Sequence, residues 1–319
     1  MKTLLIIADE SSHALLKKTL LSQDDEVIVA TDLSTVRRAL IETELPAIVL
    51  FDSNQKVELV AVHREIRRKK TDFPLYMLAL VDEDQLVDLM LMEGIDDCLR
   101  MPVYGYELEV RLKVAKKILD LQMELMNTQK ELRYTARHDL MTGLLNHNEI
   151  ISELQRRLGL LGNRGNCVSI AMMDLDDFKH TNDTYGHLAG DEVLCQISQK
   201  LLNLTRPVDF VGRYGGDEFL IVLNNCNAEG VFQLAERIRV TVEEDLLQIL
   251  GSKVDITMSF GVATVCQENE NALDLISKAD VALYEAKKDG GNKVRVAENR
   301  PSANSKIEGE DKNADRSTD

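Results

Sequence analysis

The sequence predicts an α/β protein with two domains joined by a long helix. Residues 1–103 alternate short apolar runs with helix-like stretches. Residues 104–137 contain no proline, and no glycine after Gly105. Residues 138–297 mix strands and helices differently and include a hairpin pattern. At 319 residues the chain is long enough for two domains of ordinary size.

Composition and charge restrict the class of protein. Hydrophobic residues make up 44% and charged residues 29%, which is typical of a soluble globular protein. The net charge of −16 argues against nucleic acid or an anionic membrane as the main partner, because both attract basic surfaces. The apolar run Leu4–Ala8 is too short for a signal peptide. The cysteines form neither a CxxC nor a Cys/His metal pattern, so we expect reduced thiols and a cytoplasmic location.

Residues 1–103 have the pattern of a repeated βα unit. The apolar runs are TLLIIA, EVIVAT, AIVLFD, PLYMLAL and a short DDCLRM. Helices are predicted between them, over 11–22, 33–43, 57–69 and 83–93. This order predicts a doubly wound (βα)5 domain, a parallel sheet with helices on both faces. Functional residues of such a sheet lie at the carboxyl ends of its strands.

Residues 104–137 are predicted to form one long helix. Apolar and threonine side chains recur along it at heptad spacing: Val114, Ile118, Leu121, Leu125, Thr128, Leu132 and Thr135. This spacing indicates a short parallel coiled coil. The alternative is a helix that packs only on its own domain, since the seam is short and contains threonines.

Residues 138–297 are predicted to form a second α/β domain with a mixed sheet. Helices are expected over 146–161, near 177–181, and over 190–204, 228–248 and 272–288. Strands are expected over 166–174, 254–265 and 292–297, with an antiparallel hairpin over 208–223. The polar segment 298–319 is expected to be disordered.

Acidic side chains stand at two places where these strands end or turn. The strand 166–174 ends at Asp174 in the run DLDD, and the hairpin turn carries GGDE at 215–218. Paired glycines suit a tight turn because they tolerate φ > 0, but adjacent acids repel each other. Mg²⁺ commonly binds one or two carboxylates together with substrate phosphates, so the pattern indicates a site for phosphoryl or nucleotidyl transfer. Alternatively, DLDD marks a helix N-terminus, where acids are favoured.

Four motifs in order make this domain resemble the GGDEF family of diguanylate cyclases. They are HDLMTGLLN, DLDDFKHTNDTYGHLAGDEVL, RYGGDEF and ADVALYEAKKDGGN, and the resemblance covers residues 138–297. The resemblance implies a fold like a polymerase palm or an adenylyl cyclase core. It also implies that two GTP molecules, one on each subunit of a dimer, condense to cyclic di-GMP and two pyrophosphates.

The resemblance assigns the metal site and the catalytic acids. It implies that Asp174, Asp217 and the carbonyl group of Leu175 hold Mg²⁺ or Mn²⁺, with two ions per GTP half-site. Glu218 stands beside Asp217 and is implied to help coordinate the metal or to activate the 3′-hydroxyl group. Bound cations would relieve the repulsion between these acids.

The resemblance also assigns residues that contact the nucleotide. Gly215 and Gly216 are implied to let the backbone approach it, which a Cβ would obstruct. Asn182 and Asp191 match the guanine-reading positions. A carboxylate accepts from guanine N1–H and N2–H₂, whereas adenine presents an acceptor at N1, so Asp191 favours GTP over ATP. The alternative is that Asp191 only caps a helix over 192–204.

Two lysines match the family's phosphate-binding positions, Lys179 and Lys287. Either is alternatively an ordinary solvated lysine. Gly291 departs from the arginine that is often found there in the family, so one positive charge for the triphosphate is missing. Lys288 and Lys293 are candidates to replace that charge.

A second site is predicted just before RYGGDEF. Arg206 and Asp209 in RPVD match the family's inhibitory RxxD motif, and Arg237 in AERIR matches a secondary arginine. An arginine can bind guanine or a phosphate with two hydrogen bonds, while an aspartate accepts from the guanine edge. The resemblance implies that cyclic di-GMP binds here and inhibits the enzyme. The alternative is a surface salt bridge between Arg206 and Asp209.

The N-terminal domain resembles a response-regulator receiver whose phosphorylation site is degenerate. Asp52 stands at the position of the phosphorylated aspartate, but Asp9 is the only member left of the usual acidic pair. Ala79 and Met101 replace the usual hydroxyl and lysine groups, and Cys98 replaces an aromatic residue. Phosphoryl transfer needs those groups, so we expect a pseudoreceiver that dimerises or binds an unknown protein partner.

These observations together predict a diguanylate cyclase that works as a homodimer. The receiver-like domain and the helix 104–137 would set the distance between the two half-sites. One alternative is a weak or inactive domain that serves as a cyclic di-GMP receptor, to which Gly291 lends some support. Others are a signalling scaffold and a cyclase that makes a mixed GMP–AMP dinucleotide, which Asp191 disfavours.

Overall fold

A computed structural model describes most of the chain in two compact units, Met1–Glu131 and Leu132–Asp319. The described residues are 2–6, 14–21, 26–30, 34–35, 47–52, 74–82, 94–161, 166–249, 251–267 and 270–298. The helices predicted over 33–43, 57–69 and 83–93 lie largely or wholly outside these ranges, as do Asp9 and the segment 299–319.

The N-terminal unit contains a five-stranded parallel sheet, as predicted. Its strands are β1 (Lys2–Ile6), β2 (Glu26–Ala30), β3 (Ile48–Asp52), β4 (Tyr76–Val81) and β5 (Asp97–Arg100). Their order in the sheet is β2-β1-β3-β4-β5, and every pair is parallel. This order is one of the common doubly wound orders. Helix α1 (Ala14–Leu21) follows the first strand in the chain.

Helix α2 (Gly105–Arg137) confirms the long helix and carries two apolar stripes. One stripe buries Leu108, Leu112, Ala115 and Leu119 against the N-terminal sheet. The other leaves Val114, Leu121, Leu125 and Leu132 exposed by 45% to 63%. Ile118 packs on the N-terminal core rather than with the exposed stripe. No helix in the described part of the chain is both long and apolar enough to cross a membrane.

The N-terminal sheet is buried on both faces. Leu50 and Leu78 belong to the core that includes α1 and α2, whereas the neighbouring Phe51 and Ala79 belong to a second core. Central strands covered on both faces need apolar residues at every position, because successive side chains point to opposite sides. The runs AIVLFD and PLYMLAL meet this requirement, and β3 and β4 are buried almost throughout.

The C-terminal unit contains the predicted mixed sheet. Its strands are β6 (Val168–Leu175), β7 (Phe210–Arg213), β8 (Glu218–Asn224), β11 (Met258–Val265) and β12 (Val294–Val296). Their order is β12-β11-β6-β8-β7, with β12 parallel to β11 and the other pairs antiparallel. Strand β6 therefore lies in the centre of the sheet.

Helices cover both faces of this sheet. They are α3 (His147–Leu158), α4 (Phe178–Tyr185), α5 (His187–Leu204), α6 (Ala228–Glu244) and α7 (Ala272–Lys288). Odd-numbered residues of β6, such as Met173, pack in a core with α5 and α6. Even-numbered residues, such as Met172, pack in a core with α3 and α7.

Two predicted boundaries in this unit are wrong. The helix predicted over 228–248 ends at Glu244, and β9 (Leu247–Ile249) pairs with β10 (Ser252–Val254) in a two-stranded antiparallel sheet. Leu247 and Ile249 are buried and Gln248 is exposed, which is the two-residue period of a strand. The strand predicted over 254–265 begins as β11 only at Met258.

The expectation of reduced cysteines is wrong for one pair. Val168 pairs with Val265 across β6 and β11, and Cys167 and Cys266 extend this register by one residue. Their Cα atoms are 4.1 Å apart and a disulfide joins them. The two cysteines are 99 residues apart in the chain, so spacing gave no sign of the pairing. The other cysteines, Cys98, Cys195 and Cys226, are free.

Candidate active site

The carboxyl end of β6 places Asp174 between two polar neighbours. The strand register sets Glu218 of β8 opposite Asp174 on one side and Ser259 of β11 on the other. Residues directly opposite each other on antiparallel strands share a face of the sheet. Asp174 is 6% exposed and lies on the face that α7 covers.

The carboxylate of Asp174 is buried next to other charges. Lys287 Nζ lies 2.5 Å from Oδ1. The ammonium group and this oxygen therefore form an ion pair. Burial raises the pKa of Asp174 to about 6, and the charges of Asp217 and Glu218 add to this effect while Lys287 opposes it. Burial disfavours the charged form, so this carboxylate is one that a bound cation would stabilise.

The hairpin turn brings Asp217 to the same end of β6. The Leu175 amide donates to the carbonyl oxygen of Asp217 over 3.4 Å, and Asp217 contributes to the raised pKa of Asp174. The structure thus brings together the predicted metal residues. Within the described residues no three His, Cys, Asp or Glu side chains form a metal-binding cluster. Two carboxylates with one carbonyl oxygen still fit Mg²⁺, which often takes its other ligands from water and substrate phosphates.

The two glycines of the turn have different surroundings. Neither Gly215 nor Gly216 has a positive φ, so the expectation of a left-handed tight turn is wrong. The amides of Tyr214 and Gly215 both donate to the Glu218 carbonyl oxygen, at 2.8 and 3.2 Å. A Cβ on Gly215 would lie 2.6 Å from Glu218 Oε2, whereas one on Gly216 would meet nothing within 4 Å. Gly215 therefore makes room for the Glu218 side chain, and Gly216 leaves the outer side of the turn open.

Arg213 hydrogen-bonds to this turn, a role that the sequence analysis did not predict. Its Nε and Nη2 donate to the Gly216 carbonyl oxygen at 3.0 and 2.7 Å. Its Nη1 donates to both carboxylate oxygens of Asp139, at 3.2 and 3.3 Å. Burial works against ionisation of Asp139, but hydrogen bonds from Thr142 and the charge of Arg213 outweigh it and lower its pKa. Both residues stand in recognised motifs, HDLMTGLLN and RYGGDEF, which is the only sequence signal for the pair.

Asn182 and Asp191 come close together through Gly190. A Cβ on Gly190 would lie 2.0 Å from Asn182 Oδ1, so the Asn182 side chain rests directly against that glycine. Asp191 is the next residue. Helix α5 begins at His187 with Gly186 as its N-cap, so the alternative that Asp191 caps a helix is wrong.

The other acids of the DLDD run do not join the site. Asp176 accepts hydrogen bonds from Thr257 Oγ1 (2.7 Å), Ser259 Oγ (2.6 Å) and the Asn292 amide (2.8 Å). Gly291 has φ +72°, and a Cβ there would lie 3.1 Å from the Asp176 carboxyl carbon. Asp176 therefore anchors the loop after α7, and the backbone of that loop suits glycine at 291.

The predicted phosphate-binding lysines lie in different settings. Lys179 is exposed in the first turn of α4, after Asp177, which is the N-cap but makes no side-chain capping bond. Lys287 lies at the predicted metal residues, because its ammonium group contacts Asp174. Of the two candidates to replace the missing arginine, Lys293 donates to the Asp289 carbonyl oxygen and Lys288 is exposed.

Comparisons with known proteins identify the family of this domain. Residues 136–293 match the family described as "Diguanylate cyclase, GGDEF domain". The crystal structure of the coiled coil and GGDEF domain of DgcB from Caulobacter crescentus, in complex with c-di-GMP, is 31% identical with a TM-score of 0.54. The match covers 60% of this chain and 99% of that chain. The chain belongs to the GGDEF family of diguanylate cyclases.

Two curated relatives extend the comparison beyond the GGDEF domain. Diguanylate cyclase A of Treponema denticola is 37% identical over 189 residues, which is 58% of this chain and 51% of that protein. Response regulator PleD of Caulobacter vibrioides is 30% identical over 285 residues, which is 83% of this chain and 62% of that protein. The chain thus spans less than two thirds of the length of these relatives. The PleD match is longer than the GGDEF domain, so it reaches into the N-terminal unit.

The RPVD loop lies at the opposite end of β6 from Asp174. Asp209 accepts from the amides of Asn224 and Arg206, at 3.3 and 3.4 Å. No described residue forms an ion pair with the Arg206 guanidinium, so the predicted alternative of a salt bridge to Asp209 is wrong. Arg237 Nη2 donates to the Leu204 carbonyl oxygen at 2.9 Å, which brings it beside the loop. At 3.3 Å per residue the two ends of β6 are roughly 20 Å apart, so the RPVD loop is well separated from Asp174.

In the N-terminal unit, Asp52 is the last residue of β3 at the carboxyl edge of the sheet. It pairs with Leu80 of β4, and the neighbouring Ala79 pairs with Cys98 of β5. Ala79 is fully buried. The position of Asp52 fits the receiver-like interpretation, and Asp9 lies outside the described residues.

Proposed function

We propose that this GGDEF protein is a diguanylate cyclase that condenses two GTP molecules into cyclic di-GMP and two pyrophosphates. The observation that carries the proposal is the buried Asp174 carboxylate, which lies beside the turn that holds Asp217 and Glu218 and has the Lys287 ammonium group against its Oδ1. With the acids Asp217 and Glu218 nearby, one lysine leaves net negative charge around this buried carboxylate. The residues around it fit a divalent ion.

Asp174, Asp217 and the carbonyl group of Leu175 would hold Mg²⁺ or Mn²⁺, two ions for each GTP half-site. When bound, such ions stabilise negative charge on the attacking and leaving oxygens of a nucleotidyl transfer. Glu218, directly opposite Asp174 in the register, would help to hold an ion or accept the proton of the 3′-hydroxyl group.

Lys287 and Lys179 would bind the triphosphate. The Lys287 ammonium is already within 2.5 Å of Asp174, so it balances the buried charge when no nucleotide is present. On binding GTP, the ammonium would turn from Asp174 to a phosphate oxygen, since both are anionic and close together. The open outer side of Gly216 would leave room for the nucleotide against the turn, and Gly215 would keep Glu218 in place.

Asn182 and Asp191 would select guanine. The contact of Asn182 with Gly190 holds its amide next to Asp191 on the following helix. The pair would then offer a carboxylate and an amide oxygen to the N1–H and N2–H₂ donors of guanine. Adenine lacks this donor pattern, so the side-chain oxygens of Asn182 and Asp191 would be left unpaired and ATP would bind less well.

The reaction requires two copies of the chain, because one half-site holds one GTP. The exposed apolar stripe of α2, which includes Val114, Leu121, Leu125 and Leu132, supports a homodimer through this helix and the receiver-like domain. Dimerisation would bring the 3′-hydroxyl group of one GTP to the α-phosphorus of the other, an effect of proximity.

The N-terminal unit would act as a pseudoreceiver within this dimer. Its parallel sheet and the edge position of Asp52 support a receiver-like fold, while the apolar Ala79 stands where a hydroxyl group is needed. Phosphoryl transfer to Asp52 is therefore not expected. Incubation with acetyl phosphate should leave the mass of the chain unchanged, and stoichiometric labelling of Asp52 would contradict this.

Cyclic di-GMP would inhibit the enzyme at the RPVD loop. Arg206, Asp209 and Arg237 lie around this one loop, and the Arg206 guanidinium is not engaged by a described carboxylate. Two arginines and a carboxylate can bind phosphate and guanine groups together. Arg206→Ala should abolish tight binding of cyclic di-GMP, and unchanged binding would remove this part of the proposal.

To test the activity, the purified full chain is incubated with Mg²⁺ and GTP, and separately with Mg²⁺ and ATP. The products are identified by mass spectrometry. We expect cyclic di-GMP from GTP and no dinucleotide from ATP alone. Asp174→Asn should lower turnover by about a hundredfold or more, as loss of a central electrostatic group does. Asp177→Asn is the matched control, because Asp177 is exposed and caps nothing with its side chain.

A second candidate is a cyclic di-GMP receptor with little or no catalysis. It is favoured by Gly291, because the triphosphate then lacks the positive charge of an arginine at this position. The backbone of residue 291, with φ +72°, suits glycine rather than arginine. Tight binding of cyclic di-GMP together with no product from GTP at any protein concentration would favour the receptor over the enzyme.

A further inference from the structure

The loop that follows α7 has a left-handed backbone at three successive residues. Gly290, Gly291 and Asn292 have φ values of +101°, +72° and +49°. Glycine adopts this region without steric cost, and asparagine is one of the few other residues that enter it readily. The loop joins the end of α7, where Lys287 lies, to β12 of the sheet.

The loop also completes the C-terminal end of α7. The amides of Gly290 and Gly291 donate to the carbonyl oxygens of Lys287 and Ala286, at 3.1 and 3.2 Å. The last carbonyl groups of a helix lack partners within the helix, and the amides of a left-handed loop commonly bind them. The position of the last turn of α7, and with it the base of the Lys287 side chain, therefore depends on how the loop is held.

Asn292 holds the loop through three hydrogen bonds to other parts of the domain. Its amide donates to Asp176 Oδ2 at 2.8 Å, just beyond the end of β6. Its side-chain Oδ1 accepts from Arg239 Nη1 at 2.9 Å, and its Nδ2 donates to Glu243 Oε1 at 2.7 Å. Both of these partners belong to α6. Asn292 thus ties the loop to the end of a central strand and to a neighbouring helix.

The partners of Asn292 are themselves fixed by other contacts. The side chain of Arg239 is 17% exposed and also donates to Glu236 and Glu243, at 2.9 and 2.8 Å. Asp176 also accepts hydrogen bonds from two hydroxyl groups at the start of β11 and just before it. Hydrogen bonds to ionised groups are stronger than those between neutral groups. Asn292 is therefore attached to a rigid frame.

The same frame adjoins the predicted metal residues. Asp176 directly follows Leu175, whose carbonyl group is a proposed metal ligand, and Lys287 contacts Asp174. Asn292 therefore connects the segment after the predicted metal residues to the loop that completes α7. Phosphate groups bound by both the metal and Lys287 would require these two parts of the domain to keep a fixed separation.

We infer that Asn292 is a positioning residue for the triphosphate and acts through Lys287. The inference rests on the proposed function, in which Lys287 binds the triphosphate of GTP. It assigns to the Asn292 side chain, with Arg239 and Glu243 behind it, the role of fixing the end of α7 so that the Lys287 ammonium group can reach a phosphate oxygen.

The test measures binding of 3′-deoxy-GTP to the full chain by calorimetry in the presence of Mg²⁺. This analogue keeps the guanine and the triphosphate but lacks the attacking hydroxyl group, so binding is measured without turnover. Asn292→Gly keeps the left-handed backbone and the amide but removes both side-chain hydrogen bonds. The Kd should rise by about three- to tenfold.

Asn225→Gly is the matched control for this substitution. Asn225 has a φ of +47°, close to that of Asn292, and it is exposed just after β8, at the end of the sheet far from Asp174. Glycine suits both backbones equally, so the control isolates the side-chain contacts of Asn292. The Kd of Asn225→Gly should stay within about twofold of the wild type.

A double-mutant cycle shows whether Asn292 acts through Lys287. Residues that act through the same contact have effects that do not add, whereas independent residues have additive effects. In a Lys287→Met background, Asn292→Gly should change the Kd by less than about twofold. In an Asp191→Asn background its full effect should remain, because Asp191 is proposed to bind the base. Weaker binding on Asn292→Gly in both backgrounds would show a general loosening of the domain and overturn the inference.

The outcomes separate this inference from the proposed function. If Lys287→Met weakens binding while Asn292→Gly does not, only the role of Asn292 is overturned. If Lys287→Met binds as tightly as wild type, the proposed role of Lys287 is overturned and the inference falls with it. Wild-type protein that binds the analogue but forms no cyclic di-GMP from GTP would overturn the proposed catalysis, and the Kd values would still decide the role of Asn292.

A milder variant covers the case in which Asn292→Gly does not fold. Glu243→Ala removes the acceptor of Asn292 Nδ2, and the Glu243 side chain is 43% exposed. The Kd should rise by about threefold, whereas Glu244→Ala, at the exposed next residue, should bind as wild type does. Thermal unfolding of each variant shows whether the fold is intact. Wild-type affinity in a folded Glu243→Ala protein would contradict the hold of α6 on Asn292.

Discussion

Arg213 binds Asp139 through Nη1, with distances of 3.2 and 3.3 Å to the two carboxylate oxygens. Through its other nitrogens, Arg213 also holds the Gly216 carbonyl oxygen. Asp139 lies just after α2, which ends at Arg137, and Gly216 precedes the candidate metal residue Asp217. The first turn after the long helix is thereby fastened to the turn that carries the acids.

Asp139→Asn should lower turnover while leaving the fold intact. The change removes a charge-assisted hydrogen bond, which contributes about 1.5–3 kcal/mol. If about half of this free energy stabilises the transition state, kcat falls by about three- to tenfold. Steady-state kinetics of cyclic di-GMP formation measure the effect. Asp245→Asn removes an exposed ion pair with Lys200 and serves as the control, and equal kcat values for both variants would contradict the role of Asp139.

The same pair should make stability depend on pH. The pKa of Asp139 is lowered in the folded state, so the folded protein binds fewer protons there than the unfolded chain. The stabilisation is fully present above the unfolded pKa of about 4 and is lost as the pH falls through the folded pKa.

Urea unfolding of wild type and Asp139→Asn at several pH values checks this. The difference in the free energy of unfolding of the C-terminal unit should be constant between about pH 5 and 7 and shrink below about pH 4. A difference that persists undiminished at about pH 2 would show that Asp139 stabilises the fold by another route.

Gly190→Ala should impair recognition of guanine. A Cβ at this position would lie 2.0 Å from Asn182 Oδ1, so the Asn182 side chain must move. The KM for GTP should rise by about tenfold, equivalent to loss of one hydrogen bond to guanine. Gly159→Ala is the control, because its Cβ would meet only ordinary contacts at 3.5 Å. An unchanged KM in Gly190→Ala would argue against Asn182 as a base-reading residue.

The disulfide should be detectable by counting thiols. Without reductant, the denatured chain should react at Cys98, Cys195 and Cys226 only, and reduction should expose Cys167 and Cys266 as well. The two cysteines are 99 residues apart, so reduction should destabilise the C-terminal unit by about 4.7 kcal/mol. Cys167→Ser should remove this effect of reductant, whereas Cys226→Ser should retain it. Reaction of all cysteines before reduction would contradict the bond.

Local patterns predicted most elements of both units. The apolar run that ends at Asp174 and the long proline-free run of 104–137 predicted β6 and α2 directly. The errors lie where a local pattern is ambiguous. Residues 245–249 are rich in apolar side chains, as α6 is, and were therefore predicted to extend that helix. Leu247 and Ile249 instead belong to a strand, because β10 pairs with this segment. Pairing of this kind depends on a partner segment and is weakly encoded in a short window.

In the candidate site, too, some residues were predicted from local sequence and others were not. The acids at 174, 217 and 218 were identifiable because carboxylates are uncommon at the ends of apolar strands, and the resemblance named their family. The partners of these acids were not identifiable from local pattern. Lys287 reaches Asp174 from α7, and Arg213 reaches Asp139 across 74 residues.

The sequence by itself determined the two α/β units, the long helix and the acidic residues that follow the apolar strands of the candidate site. These features follow from periodicity and side-chain chemistry within short stretches of the chain. The tertiary structure alone decided which charges meet. It joined Cys167 to Cys266, set Asp176 apart from Asp174, and placed Asn292 beside Arg239. The physical reason is that strand register and helix packing bring distant residues within a few ångströms, and no local pattern specifies those contacts.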